Sequence, residues 1–336
     1  MNPTIKARFN DRMLAQIVEK YGVTLEDLTP LDGFESFIYE VHQPDRESIL
    51  RVSHSERRSE ALILGEGDWI NYLAKHGAGA SQMYHSNDGN LVEKVSDGHG
   101  EYFLGTLFAK APGVPPRQFG WSDTLYETYG RTIGQLHRLS MDYTPSDPRA
   151  IRPQWDDPIM GIEASWMPAG NEIVLQKYQE IEARCRTLPQ TREEYGLIHF
   201  DVHGGNFFVA PDGSLHLFDF DDCNYSWYAN DIAIVLFYLV HRGEEDTAAF
   251  TKNFMTHFIR GYQQENLFNP EWLDLIPMFL KMREIDLYAV VHRSFDVENS
   301  TEPFVLWYMT GRQEKIENDV PYVDFDFRSL EGVLKA

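Results

Sequence analysis

His199-x-Asp201-x4-Asn206 lies within LIHFDVHGGNFF (residues 197–208), and Asp219 follows thirteen residues past Asn206 in LHLFDFDD (215–222). A carboxylate, a carboxamide and a second carboxylate, each just beyond a short apolar segment, form a compact kit for phosphoryl transfer. That reaction asks little covalent chemistry of the protein. It needs a base to orient a hydroxyl, and hard oxygen ligands to hold Mg²⁺ against nucleotide phosphates. On this reading Asp201 is the base, and Asn206 and Asp219 are the metal ligands. Asp221 or Asp222 could take a second ion, although Asp222 suits a solvated loop acid better.

The same residues allow other readings. Asp, Asn and Gly are turn formers, so Asp201, Gly204, Gly205 and Asn206 could simply close a loop between strands. His199, Asp201, His203, His216 and Asp219 could instead converge as the metal cluster of a His/Asp metallohydrolase. Against this, Gly204-Gly205-Asn206 follows at once, and His216 alternates away from Asp219 on its strand. A binding module with a degenerate site would be expected to lack the base or a metal ligand, and this chain has all three.

The elements around the kit have a recognisable order. Residues 1–28 carry Met13, Leu14, Ile17, Val18 and Tyr21 at helical spacing ahead of Gly22, which predicts a leading helix. FIYEV (37–41) and SILRV (48–52), separated by the turn-rich HQPDRE, predict a hairpin. A helix over 57–76 stops at Gly77, and strands over 90–95 and 101–108 flank SDGHG. KAPGVPPRQFG (110–120) has three prolines and two glycines and marks a boundary. Helices are expected over 125–139, 172–187, 246–264 and 271–293, and generally from Asp231 to the end. Asp231 is expected as an N-cap that braces the catalytic loop, and His199 as an anchor of that loop. The expected fold class is α+β and bilobal. Residues 1–109 form a small antiparallel-sheet nucleotide lobe with its leading helix, 110–120 the hinge, and 121–336 a large, mainly helical lobe.

Composition sets outer bounds. The 336 residues suit about two lobes. Hydrophobic content of 43% and charged content of 24% are ordinary for a soluble globular chain. No apolar run reaches membrane-spanning length. The first thirty residues read as neither a signal nor a transit peptide, so the expected location is cytoplasmic. Cys185 and Cys223 form no C-x-x-C, which removes a thiolate metal site. With 52 acids against 30 Lys and Arg, nucleic acid and anionic membranes are disfavoured as partners. The excess would suit a cationic substrate, but solubility is the larger reason for it.

HFDVHGGNF and LFDFDD resemble the catalytic and metal loops of the aminoglycoside phosphotransferase and choline kinase superfamily, within the protein-kinase-like fold. That superfamily includes the homoserine kinase and stress-response kinase branches. The resemblance continues in order over roughly residues 25–300. LDGFESFIYEV (31–41) sits where the family has its nucleotide-covering hairpin, which implies that Gly33 and Ser36 meet the nucleotide. ILRV (49–52) resembles the strand whose basic residue, here Arg51, meets the phosphates, and Glu66 resembles the helix Glu that pairs with it. TIGQLHRL (132–139) resembles the family's first large-lobe helix, and Asn230-Asp231-Ile-Ala233 the start of its helix after the metal loop. Ala109 and Ala111, at the lobe junction, are implied to contact adenine through backbone atoms. There are departures. Arg51 stands where protein kinases use Lys, LDGFES lacks the full G-x-G-x-x-G, and Gly65 and Gly67 flank Glu66 within a helix at a cost of roughly 1 kcal/mol each. Nothing resembles the A-P-E activation segment.

The resemblance implies an ATP- or GTP-dependent kinase using Mg²⁺. Its acceptor would be a hydroxyl of a small molecule related to an aminoglycoside, amino alcohol or homoserine, cationic if the acid excess serves binding. The alternative is a protein Ser/Thr kinase of the stress-response type. The helices over 246–300 would wall the acceptor, with Tyr262, Asp286, Tyr288, His292, Arg293 and Asp296 as polar candidates and Arg283 and Arg293 as opposing cations.

Overall fold

The computed structural model describes residues 3–33, 35–240 and 246–334. Met1 and Asn2 of the expected leading helix, Phe34 of the expected covering hairpin, and residues 241–245, 335 and 336 of the expected helical run lie outside the described residues. The chain divides into two compact units. Unit 1 comprises Met1–Val114, Tyr143–Arg152 and Phe207–Asp221, and unit 2 comprises Pro115–Asp142, Pro153–Asn206 and Asp222–Ala336.

In unit 1 the leading segment is not one helix. It breaks into α1 (Pro3–Lys6) and α2 (Asp11–Glu19), followed by a 3-10 turn at Leu25–Asp27. The break has a local cause. The Asn10 side chain accepts the Arg12 and Met13 N–H groups and restarts the helix as its N-cap. Gly22 then takes a left-handed φ of 67° and ends it. The buried face of α2 is Leu14, Ile17 and Val18, within the expected periodicity.

The sheet runs β1-β2-β3-β6-β4, with β5 also paired to β6. Its strands are β1 (Leu28–Leu31), β2 (Phe37–His42), β3 (Glu47–His54), β4 (Met83–Tyr84), β5 (Glu93–Ser96) and β6 (Tyr102–Ala109), and every pairing is antiparallel. The strand expected to begin at Asn90 starts at Glu93, because Ser86 to Asn90 close a turn with Gly89 at φ 82°. Leu50, Val52, Phe103 and Leu107 pack with Ile17 and Val18 on one face. Arg51, between Leu50 and Val52 on β3, therefore points to the opposite face.

That opposite face belongs to α3 (Glu60–Lys75), whose N-cap is Ser59. Its two glycines are packing devices. A Cβ at Gly65 would stand 2.3 Å from the Ile151 carbonyl oxygen, and one at Gly67 would stand 2.7 Å from the Met83 sulfur. The cost at Gly65 accompanies a backbone approach that a larger residue forbids, whereas at Gly67 the neighbour is the flexible Met83 thioether. Asp68 on the same helix accepts the Tyr143 hydroxyl at 2.7 Å and the Ser146 N–H at 2.9 Å. Unit 1 also contains the hairpin β8 (Phe207–Val209) and β9 (Leu215–Leu217), which is tied to the rest of the unit by Leu217 N–H on Gly79 O at 2.7 Å and Ser81 N–H on Leu217 O at 3.0 Å.

In unit 2, α4 (Pro116–Phe119) leads into α5 (Asp123–Ser140), and α6 (Glu172–Cys185) follows an irregular stretch. The ladder of β7 (Tyr195–Ile198) and β10 (Asn224–Trp227) pairs Ile198 with Asn224 and holds the loop that starts at His199. Helices α7 (Tyr228–Leu239), α8 (Thr247–Tyr262), α9 (Trp272–Ser294), α10 (Pro303–Met309) and α11 (Arg312–Glu317) complete the unit. Eleven of the twelve residues of α7 are buried. Helices α5 and α8 meet backbone to backbone. A Cβ at Gly130 would lie 1.9 Å from Phe258 O, and one at Gly261 would lie 1.8 Å from Glu127 O.

Neither contact can absorb a methyl group without moving a helix axis. Gly261→Ala should therefore lower unfolding stability by roughly 1–3 kcal/mol, read by denaturant melts. Gly98→Ala, at a position with open space but a left-handed φ of 79°, serves as the contrast that carries backbone strain alone.

Candidate active site

Unit 2 contributes the loop after β7. Phe200 has φ 68°, a left-handed conformation uncommon for a bulky residue. It is held there by Asp231. One oxygen of this fully buried carboxylate accepts the Phe200 N–H at 2.9 Å, and the other accepts the His199 N–H at 3.1 Å and meets His137 Nε2 at 3.2 Å. Asp231 is not the N-cap of α7, which begins at Tyr228 after Trp227. It lies inside the first turn with its carboxylate turned toward the loop amides, so the bracing role stands and the capping role does not. Burial outweighs the pull of Asp231 and lowers the His137 pKa. The neutral ring then bridges Asp231 and the Tyr262 hydroxyl, 2.9 Å from Nδ1. His199 is fully buried, and its Nδ1 faces the Asp201 N–H at 3.4 Å.

Asp201 is turned by three residues from two segments, its own loop and α9. Asn206 Nδ2 donates to its backbone carbonyl at 2.8 Å and to Oδ2 at 3.0 Å. His203 Nε2 stands 3.4 Å from Oδ2. Arg283 Nη2, from α9, donates to Oδ1 at 2.6 Å. Burial would push the Asp201 pKa up, but the His203 hydrogen bond and the Arg283 charge outweigh it and hold the carboxyl below its ordinary value. Asp201 is therefore a carboxylate at neutral pH. With its amide nitrogen committed to Asp201, Asn206 has its amide oxygen outside these bonds.

Unit 1 holds Arg51, Glu66 and Asp219. Arg51 donates to both Glu66 oxygens, at 2.9 and 2.5 Å, and its Nη1 stands 3.9 Å from Asp219 Oδ1. Glu66 is fully buried and Arg51 nearly so, while Asp219 is exposed. Asp219 also has a left-handed φ, 62°. Asp221 differs from the expected second metal ligand. Arg57 Nη1 donates to its Oδ2, Arg58 Nε lies 3.3 Å from the same oxygen, and Arg152 donates to its backbone carbonyl at 2.7 Å. Burial would raise its pKa, but these arginines hold it well below the usual range. A carboxylate so engaged is a counter-ion rather than an open metal ligand.

Gly33 and Ser36 sit in the β1–β2 turn. A Cβ at Gly33 would meet Ser36 O at 2.2 Å, and Ser36 Oγ lies 3.2 Å from Ser53 Oγ. The Ala109 N–H is already donated to Gln82 O at 2.9 Å, and Ala111 is buried. Among the described residues, the one group of three or more acids, cysteines and histidines with converging ligand atoms is Glu40, His42 and Glu47. His199, Asp201 and His203 are not such a group. Of the acceptor-wall candidates, Asp286 is buried with one oxygen unpartnered, Tyr288 donates to Asn171 Oδ1 at 2.7 Å, and the Arg293 guanidinium lies over the Trp166 ring.

Two outcomes follow from these charges. Arg51→Met strands the buried Glu66 carboxylate and should cost about 3–5 kcal/mol, most of it recovered by adding Glu66→Leu; paired denaturant melts check both. Burial pushes Asp286 up to about 7 against the pull of Arg283. A raised acid contributes stability that is full below its ordinary value of 3.8 and is lost as pH rises through about 7. Asp286→Asn should therefore lose less stability than the parent over that window, a difference approaching about 1.4 kcal/mol per pH unit in unfolding measured at stepped pH.

Comparisons with known proteins identify the family. The family model of the phosphotransferase enzyme family, APH, matches residues 27–276. The amicoumacin kinase of Bacillus subtilis (strain 168) is 35% identical over 330 residues, covering 97% of this chain and 98% of the relative. The solved structure of amicoumacin kinase hAmiN, in complex with AMP-PNP, Ca²⁺ and Ami, superposes with a TM-score of 0.91 at 34% identity, over 98% of this chain and 100% of that one. A microcompartment-associated aminopropanol kinase shares the fold, with a TM-score of 0.72 at 21% identity over 92% and 97% of the two chains. No helix among the described residues is long and apolar enough to cross a membrane. This chain therefore belongs to the phosphotransferase enzyme family, as an ATP-dependent kinase of small molecules.

Proposed function

We propose that the chain transfers the γ-phosphoryl group of Mg²⁺-bound ATP to a hydroxyl of amicoumacin or a chemically similar, positively charged small molecule in the cytoplasm. The observation that carries this reading is the Asn206 amide, bonded at once to the carbonyl and the carboxylate of Asp201. It couples a proton-accepting oxygen to a metal-facing one, the juxtaposition phosphoryl transfer requires. Asp201 takes the proton of the acceptor hydroxyl, while Asn206 and Asp219 hold Mg²⁺. When bound, the cation draws charge from the phosphate oxygens. Arg51, oriented by Glu66, meets the phosphates with a fixed guanidinium plane. Gly33, Ser36 and the backbone at Ala109 and Ala111 contact the nucleotide. Unit 1 thus serves the nucleotide and unit 2 the acceptor.

Two features support the acceptor class. The full-length relative is an amicoumacin kinase, and the chain carries a net charge of −22 with a buried, half-partnered Asp286 on a helix of the acceptor side. Incubation with Mg²⁺ and ATP against amicoumacin, amino sugars and amino alcohols, followed by mass spectrometry, should show the gain of one phosphoryl group on amicoumacin or a cationic analogue. Transfer only to uncharged acceptors would refute the class. Asp201→Ala should lose roughly 10²–10⁴-fold in turnover while ATP still raises the melting temperature. Asp219→Ala should lose the Mg²⁺-dependent part of that rise.

A further inference from the structure

Arg283 lies in the middle of α9, with Met282 and Glu284 buried beside it. Its guanidinium is nearly enclosed, with a side-chain exposure of 13%. Nη2 donates to Asp201 Oδ1 at 2.6 Å and to the Tyr238 hydroxyl at 2.7 Å. The guanidinium carbon stands 5.5 Å from the Phe200 ring centre and 5.3 Å from that of Tyr238. Nε is buried with no hydrogen-bond partner. A cation buried for stability alone would be expected to satisfy its donors, because an unpaired buried N–H is costly. Here one donor is left unmet, while the fork is aimed at the residue that does the chemistry and the rings beside it.

We propose that Arg283 is a positioning residue of the transfer reaction, fixing the rotation of the Asp201 carboxylate from one side while Asn206 fixes it from the other. This rests on Asp201 being the base. A carboxylate offers about four lone-pair sites. Arg283 occupies one on Oδ1, and Asn206 and His203 crowd Oδ2, which leaves a narrow direction from which a hydroxyl can approach. As the acceptor oxygen bonds to the γ-phosphorus, its proton passes to the remaining Asp201 lone pair, and the bond to the bridging oxygen of departing ADP breaks. The cation over Phe200 also clamps the left-handed residue that precedes the base. Tyr238 holds the guanidinium in turn, so orientation passes from α7 through α9 to the loop.

The test uses the full chain with Mg²⁺ and ATP. It measures transfer to amicoumacin, and ATP hydrolysis to water as a readout independent of any acceptor. Arg283→Met should lower kcat by about 10²-fold, the scale of a displaced catalytic group, with KM for ATP essentially unchanged. Arg283→Lys should recover part of the loss, since it restores charge without the planar fork. Tyr238→Phe, a milder change that keeps the pair with Asp201, should show a smaller fall of the same kind. In an Asp201→Asn background, Arg283→Met should cost nothing further. Parent-like kcat in Arg283→Met, a rise in acceptor KM with kcat intact, or an equal loss in the Asp201→Asn background would each overturn the positioning role. Parent-like turnover in Asp201→Asn alone would overturn the base assignment, and this role with it.

Discussion

The arrangement of the catalytic loop depends on one buried carboxylate. Asp231 accepts the N–H groups of His199 and Phe200 and meets the neutral His137 ring. Without it two loop amides would be buried with no partner, each at roughly 1–3 kcal/mol. The left-handed backbone of Phe200, itself a cost of order 1–3 kcal/mol, would lose its restraint. Because α7 is buried along nearly its whole length, Asp231 is an immobile anchor. Asp201 inherits that immobility. The strain at Phe200 persists because the surrounding helices over-determine it.

A second regularity concerns where cations go in an acidic chain. Glu66 is matched by Arg51, Asp221 by Arg57 and Arg58, and Asp201 by Arg283. Ionised carboxylates cannot leave water without partners, so arginines concentrate at the functional acids while the surface keeps the excess negative charge. Asp219 differs in being exposed, with Arg51, itself engaged by Glu66, 3.9 Å away.

Much of this was legible in the sequence, for reasons that can be named. The helices Asp123–Ser140, Thr247–Tyr262 and Trp272–Ser294 have apolar spacings over several turns. The pairing of Arg51 with Glu66 was implied by the family resemblance rather than by any local pattern, and the structure contains it. Even Gly65, which argues against a helix by propensity, marks the close approach that places Glu66. Long-range geometry was not legible. Asp231 was expected at a helix start, but nothing local distinguishes a cap from a carboxylate turned toward a loop thirty-two residues earlier. Asp221 read as a metal candidate because its arginine partners come from remote segments. Arg283, eighty-two residues from Asp201, read as a cation diluting an acidic wall. The one local hint, Asp286 a turn further along the same helix, is common on any solvated helix.

Arg283 also bears on how such an enzyme can change its acceptor. Helix α9 carries Arg283, Asp286, Tyr288 and His292 along one continuous element. Helical geometry places residues three and four apart on neighbouring positions of one surface. On the proposed reading, a substitution at Asp286 that reshapes the acceptor wall therefore also shifts the element that orients Asp201. The field of Asp286 already acts on Arg283, so charge changes are coupled as well as steric ones. Acceptor recognition and base orientation are then properties of one rigid helix, and altering the first while preserving the second requires changes away from the Arg283 face.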